Sequence, residues 1–398
     1  DCLPSVIVQL KGNPLIMGVR YELSCLRCTL CGKYYVAPLP EEAKGREKYD
    51  ETCRSSIALA RYYAGFPFYR IQRMQALQHI PLADSTQWDL MLQLYAMVFP
   101  VYQALEQCAA QGELFHYDDT GNRIIELKKK SQAAHTTAFI SMWENHAIYL
   151  FYTSQAIGGK NLALLLENRS TEEPFFTMAD ASSHNIPKVM DENLIARWIL
   201  CFCLVHGRRK FYEIQHLYSK ECELVLDIIS QVYQNEAYCK KNKGDPPARL
   251  THHQQYSGPL MEALKTWLNN QLLHRCHEPN SAFGQAVAYM LRHWQPLTRF
   301  LEVAGAPIDN SLCEQAIKVA IRHRRNSLFY KTQRGAQVGD CLMSLIHTAA
   351  KNQVNFFDYL NALQLNAHAV KADPSQWLPW NYRQTLQQLH APPVIKAA

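Results

Sequence analysis

Leu114-Phe115-His116-Tyr117, followed by Asp118-Asp119-Thr120-Gly121, decides how the rest of this chain is read. An apolar and aromatic run that gives way to acidic and turn-forming residues predicts a strand closed by a turn. Residues 123–127, 136–142 and 147–152 predict further strands, with Glu144-Asn145-His146 turning between the last two. Residues 160–167 then predict a helix, and Phe175–Ala179 a strand that ends in Asp180-Ala181-Ser182-Ser183. Residues 198–205 are nearly all apolar, as expected of a strand covered on both faces. Three antiparallel strands, a helix and two more strands outline an α/β sheet. Two of those strands end in an aspartate, Asp118 and Asp180, and functional groups in such sheets gather at strand termini. Asp119 competes with Asp118, because consecutive strand residues face opposite ways.

The totals fit that outline. The chain has 398 residues, enough for two or three domains. Apolar and charged fractions of 48% and 19% are those of a globular protein and exclude wholesale disorder. A net charge of +6 permits nucleic-acid binding without demanding it. The 13 cysteines are odd in number and mostly sit in apolar runs such as Cys201-Phe202-Cys203, which reads as reduced thiols of a cytoplasmic protein. No stretch reaches the ~18 consecutive apolar residues of a membrane span. The opening Asp1-Cys2-Leu3-Pro4 has neither an initiating Met nor a signal pattern, so the chain is expected to begin inside a longer parent.

Toward the C-terminus, Pro307-Ile308-Asp309-Asn310-Ser311-Leu312-Cys313-Glu314 opens a helix whose apolar positions are 312, 316, 319, 320 and 323/324. Asp309, Asn310 and Ser311 are all candidate caps, and Glu314 projects from the first turn. Ser311-x-x-Glu314 also reads as a capping box, which needs no chemistry. Lys318, Arg322, Arg324, Arg325 and Asn326 follow on the same helix. Between sheet and helix, residues 212–300 predict a helical insertion, with helices at 222–233, 259–273 and 282–300 and a polar loop at 240–247. Helices resume over 335–363, and the tail after Lys371 reads as partly irregular.

Toward the N-terminus, residues 6–8 and 16–19 are short β-like runs. Cys28-x-x-Cys31-Gly32 is half of a four-ligand zinc site, for which Cys2 and Cys25 are poor complements. Residues 38–50 read as a linker and 51–111 as helices. Within these, Tyr69-Arg70-Ile71-Gln72-Arg73 and Ser85-Thr86-Gln87-Trp88 have the look of a small DNA-binding unit, although a plain helical connector fits as well. The expected division is therefore 1–40, 51–111, 113–211, 212–300, 301–365 and a tail at 366–398.

Asp118, Asp180 and Glu314 form a candidate catalytic triad. A few hard carboxylate oxygens suffice to hold two Mg²⁺ (or Mn²⁺) ions ~3.5–4 Å apart for in-line phosphoryl transfer. His206-Gly207-Arg208-Arg209-Lys210, just past the last strand, supplies cationic groups suited to phosphates.

These motifs, in order, resemble the bacterial insertion-sequence-66 transposases, which are DDE enzymes with a ribonuclease-H-like core. The matching pieces are His116-Tyr117-Asp118-Asp119-Thr120, Met178-Ala179-Asp180-Ala181-Ser182-Ser183, Cys203-Leu204-Val205-His206-Gly207-Arg208-Arg209-Lys210-Phe211, and Asp309-Asn310-Ser311-Leu312-Cys313-Glu314 with Arg324-Arg325-Asn326-Ser327-Leu328-Phe329. Cys28-x-x-Cys31 and Tyr63-x-x-x-Pro67-x-Tyr69-Arg70 fit the family's zinc-ribbon and helical segments. The resemblance implies a ribonuclease-H-like mixed sheet flanked by helices, with a large helical insertion and a zinc-ribbon-like remnant. It implies Asp118, Asp180 and Glu314 as catalytic carboxylates holding two Mg²⁺ ions. Implied partners are DNA at element ends and target, further copies of the chain, and accessory element-encoded proteins, in the nucleoid of a bacterial cytoplasm. The chain departs from the common family pattern at Ser311, where Asn is usual, and at Gln315, where Arg is usual. An inactive DNA-binding descendant and a nuclease on the same core are the competing readings.

Overall fold

The computed structural model describes residues 14–44, 47–242 and 244–389. The run at 6–8 and Cys2 lie outside them. The chain separates into two compact units. One contains the described residues up to 102, Arg325–Ser327 and those from 341 onward; the other contains Gln103–Arg324 and Leu328–Asp340.

In the first unit a two-stranded antiparallel ribbon, β1 (Cys25–Arg27) and β2 (Tyr34–Val36), is exposed along its length. The β-like run at 16–19 is not a strand. Its backbone is instead held by one side chain, with Ile16 N donating to Gln75 Oε1 and Gln75 Nε2 to Ile16 O. Helices Glu51–Ala58, Phe68–Leu77 and Phe356–Leu365 build the interior of this unit. Arg54 is buried there, and its guanidinium donates to Gln364 Oε1, Glu47 Oε2 and Tyr49 O, which offset the desolvation of its charge. The tail is more regular than expected, because Tyr382–Leu389 is helical.

The second unit is built on a five-stranded mixed sheet. Its strands are β3 (Leu114–Asn122), β4 (Ala134–Trp143), β5 (His146–Ser154), β6 (Phe175–Ala179) and β7 (Trp198–Phe202), in the order β5-β4-β3-β6-β7. The first three are antiparallel; β6 and β7 run parallel to β3. Phe115, His116 and Tyr117 are all buried although they alternate in direction, so the sheet is covered on both faces at its centre.

Several predicted elements shift. The strand from Leu114 does not stop at Tyr117, because β4 continues to pair with it as far as Asn122, and Asp118 therefore sits inside a strand. Residues 123–127 are not a strand: Ile124 makes a single bridge to Tyr330, and Ile125–Lys128 is one helical turn. The apolar run 198–205 changes state at Cys203, which begins the helix Leu204–Tyr212. In the insertion, Ser219–Asn242 is continuous and the polar loop shrinks accordingly. A further helix, Pro246–Tyr256, opens on two prolines capped by the Asp245 side chain. Prolines are tolerated there because first-turn N–H groups have no intrahelical partner. Ser219–Asn242 packs with Gly258–Leu273 and Ala282–Arg292 around Val225, Ile229, Leu264, Phe283 and Met290, in a core that also takes in Phe202 and Ile308 at the edge of the sheet.

Candidate active site

The register of β3 and β6 sets the site. These parallel neighbours pair His116 with Met178. Two residues further along stand Asp118, in the middle of β3, and Asp180, just past the end of β6, at the same level of adjacent segments of the sheet. Asp118 is half-buried, and desolvation pushes its carboxyl up to about 6. Only the Asp119 backbone N–H, 2.8 Å from Asp118 Oδ1, opposes this; Asp180, Asp119 and Glu314 push it further upward. The charges of Asp180, Asp119 and Glu314 thus all bear on Asp118, but among the described residues Asp118, Asp180 and Glu314 do not bring three ligand atoms within 4.8 Å of one another.

Asp119 is occupied differently. Thr137 Oγ1 donates to its Oδ1 and Gly158 N to its Oδ2 at 2.7 Å, so it ties β4 and the helix Gly158–Leu166 to β3. That approach needs a glycine, because a Cβ at 158 would lie 2.7 Å from Asn185 Oδ1. Asp180 Oδ1 accepts from the Asn185 amide and from Ser182 N, while Asn185 O accepts from the Tyr117 hydroxyl. Asn185 therefore sets the orientation of Asp180 from a buried position.

Glu314 occupies the first turn of the helix Ser311–Ser327. Asn310 precedes that helix without capping it. Its side chain turns into the protein, where Oδ1 meets His116 Nδ1 at 3.0 Å and Nδ2 donates to Tyr117 O at 3.0 Å. Burial holds the His116 imidazole down at about 4, so the ring is neutral at physiological pH. The N-cap residue Asn310 makes no cap bond, and Ser311 N donates instead to Asp309 Oδ1 at 2.9 Å, so the expected capping box does not form. The buried face is Cys313, Ala316, Ile317, Ala320 and His323, one position round from the predicted 312/316/319/320, and Leu312 is 42% exposed. The Cys313 thiol, donating to Ala138 O on β4, fixes this rotation.

The basic residues separate into different roles. Arg324 donates to Thr120 Oγ1 at 3.1 Å and to Gly121 O, clamping the end of β3. Lys318, Arg322, Arg209 and Lys210 are exposed, and Arg208 and His206 are half-buried. Arg325 and Asn326 fall in the first unit. Cys28 and Cys31 share a tight turn in which Gly32 N donates to Cys28 O and Cys28 N to Lys33 O. Among the described residues no third ligand atom joins that pair within 4.8 Å; the one group that meets this distance is Cys203, His206 and Glu314. Asn310, Asn185 and Cys203 were not expected as site residues. Only Cys203-x-x-His206 carried a signal, since a three-residue interval brings both side chains to one face of a helical turn.

Compared with known proteins, the chain matches the family model described as "Transposase IS66 family" over residues 46–338, well over half of its length. It belongs to that family. Similar proteins from Sinorhizobium fredii (strain NBRC 101917 / NGR234) carry no functional name. Uncharacterized protein y4jD is 29% identical over 46% of this chain and 36% of its own length. Uncharacterized protein y4hP is 21% identical over 93% of this chain and 68% of its own. The chain thus spans about a third of one relative and two thirds of the other. No helix among the described residues is long and apolar enough to cross a membrane.

Proposed function

We propose that this chain is the catalytic portion of a DNA transposase, which cuts DNA at the ends of an insertion sequence and joins the freed 3′-ends to a target. The strand order, three antiparallel strands followed by two parallel ones, supports reading the sheet as ribonuclease-H-like. One observation carries the catalytic assignment. Asp118, within β3, and Asp180, just past the end of β6, stand level on adjacent segments of the sheet, and Glu314 adds to the electrostatic pressure on Asp118 from an anchored helix.

The donor set fits Mg²⁺ or Mn²⁺, which take hard oxygen ligands and keep part of their water shell. Asp118, Asp180 and Glu314 would hold two such ions, which when bound activate the attacking oxygen and stabilise the departing 3′-oxygen. The remaining work falls to the chain. Asn185 keeps one oxygen of Asp180 engaged and so orients the other. Asn310 holds the start of the Glu314 helix against β3 through two hydrogen bonds at a site with no exposure to water. Asp119 takes no part in ion binding on this reading, because both of its oxygens already accept hydrogen bonds within the fold. Lys318, Arg322, Arg208, Arg209 and Lys210 would grip DNA phosphates, a role that makes binding steeply salt-dependent.

Asp180→Ala tests the proposal on labelled element-end DNA with Mg²⁺. The expected result is loss of cleavage and strand transfer with DNA binding retained. A wild-type chain that binds ends and performs neither step would overturn it in favour of an inactive binder. Cleavage without joining would identify a nuclease.

A further inference from the structure

Cys203, His206 and Glu314 each place a ligand atom within 4.8 Å of the others. The grouping is built rather than accidental. Leu204 N donates to Ile308 O at 3.1 Å and Asn310 N to Cys203 Sγ at 3.3 Å, so the start of Leu204–Tyr212 is stitched to the segment leading into the Glu314 helix. Cys203 is 1% exposed, which removes it from exchange with solvent oxidants. His206 Nδ1 is buried with no hydrogen-bond partner, an expensive state for an imidazole nitrogen unless something else occupies it.

We propose that these three residues form a binding site for a single borderline divalent cation of the Zn²⁺ class, distinct in chemistry from a magnesium pair. One sulfur, one nitrogen and one carboxylate oxygen are a mixed donor set that Zn²⁺ and Co²⁺ accept with a fourth position open. Mg²⁺ has no use for the sulfur or the nitrogen. Burial pushes the Cys203 thiol up to about 11, so the metal must displace its proton on binding. Glu314 would be shared with the magnesium site, so zinc loading and strand transfer would exclude one another. That consequence rests on the transposase reading; the binding itself does not.

Co²⁺ is the probe, because a thiolate ligand gives it an intense near-ultraviolet charge-transfer band. The full chain is used with Cys2, Cys25, Cys28 and Cys31 all changed to Ser, so that thiols of the N-terminal stretch contribute nothing. The expected result is a band that saturates at one Co²⁺ per chain, is displaced by Zn²⁺ and disappears in Cys203→Ser. Absence of the band, or its survival in Cys203→Ser, overturns the proposal. Should Cys203→Ser lose its far-ultraviolet circular dichroism, His206→Asn decides instead: affinity for Co²⁺ must fall at least tenfold, and unchanged affinity overturns the assignment. These readouts need no DNA, so their failure is separable from failure of the transposase reading.

Discussion

Two acidic centres in the second unit have opposite electrostatics. In the helical insertion, burial would push the Glu236 carboxyl up, but hydrogen bonds from His253 and Arg249, and the charges of Arg249 and Lys240, outweigh it and hold the group down at about 2. Arg249 Nε lies 2.8 Å and His253 Nε2 2.9 Å from Glu236 Oε2, and His253 Nδ1 meets Ser257 Oγ at 3.0 Å. Asp118, by contrast, is pushed up to about 6 by burial and by the charges of Asp180, Asp119 and Glu314, against a single backbone hydrogen bond. Serine, histidine and glutamate here share the hydrogen-bond order of a hydrolytic triad, yet His253 and Ser257 have no exposure, so no substrate reaches them. The paired centre therefore holds the fold together, whereas the unpaired one is a standing cost that a divalent cation would relieve.

The comparison can be broken at its strongest point first. Asp180→Ala is expected to lower strand transfer by on the order of 10³-fold or more, the equivalent of several kcal/mol of lost metal-assisted stabilisation, with little change in melting temperature. A drop of less than tenfold would put Asp180 outside the reaction. Glu236→Ala, in contrast, is expected to cost about 3 kcal/mol of folding stability by leaving buried His253 and half-buried Arg249 without this acceptor. Denaturant unfolding reads that loss, and a cost below about 1 kcal/mol would show that the pairing is dispensable. The contribution of Glu236 is present in full above pH ~4.5 and disappears as the pH falls toward 2, so mutant and parent should converge in acid.

Asp118→Asn should act with the opposite sign. In the folded, metal-free chain this carboxyl keeps its proton up to about pH 6, while the unfolded chain releases it near 3.8. Ionising it therefore costs stability as the pH rises between those values. The variant is expected to be more stable than the parent by on the order of 2 kcal/mol at pH 7 in EDTA, and equal to it below pH 4. A destabilised variant at pH 7 would mean that Asp118 has a cationic partner. The smallest effect belongs to Asn185→Ala. Loss of an orienting hydrogen bond on a metal-binding carboxylate is expected to lower activity about 10–100-fold while melting and DNA binding change little.

Much of this was legible in the chain itself. β6 has the predicted bounds, and the strands read at 136–142 and 147–152 located β4 and β5. Asp118 and Asp180 were visible as acids closing apolar runs, although β3 carries on past Asp118 to Asn122. Other features were not legible, for identifiable reasons. Nothing local says that Asp119 spends its oxygens on Thr137 and Gly158, because both partners lie on elements that pack only in the folded unit. Asn310 looked like a helix cap, yet its amide points inward to His116, nearly two hundred positions away in sequence. The rotation of the Glu314 helix followed from a thiol reaching a carbonyl on β4, which periodicity does not encode.

The order of apolar runs and turns determined an α/β sheet followed by helices, since strand and helix periods are local properties. Tertiary structure alone decided which of two adjacent aspartates remains available, which basic residue clamps a strand, and that a cysteine and a histidine join Glu314. Those outcomes depend on which groups meet after the chain closes, and on how much water is left between them.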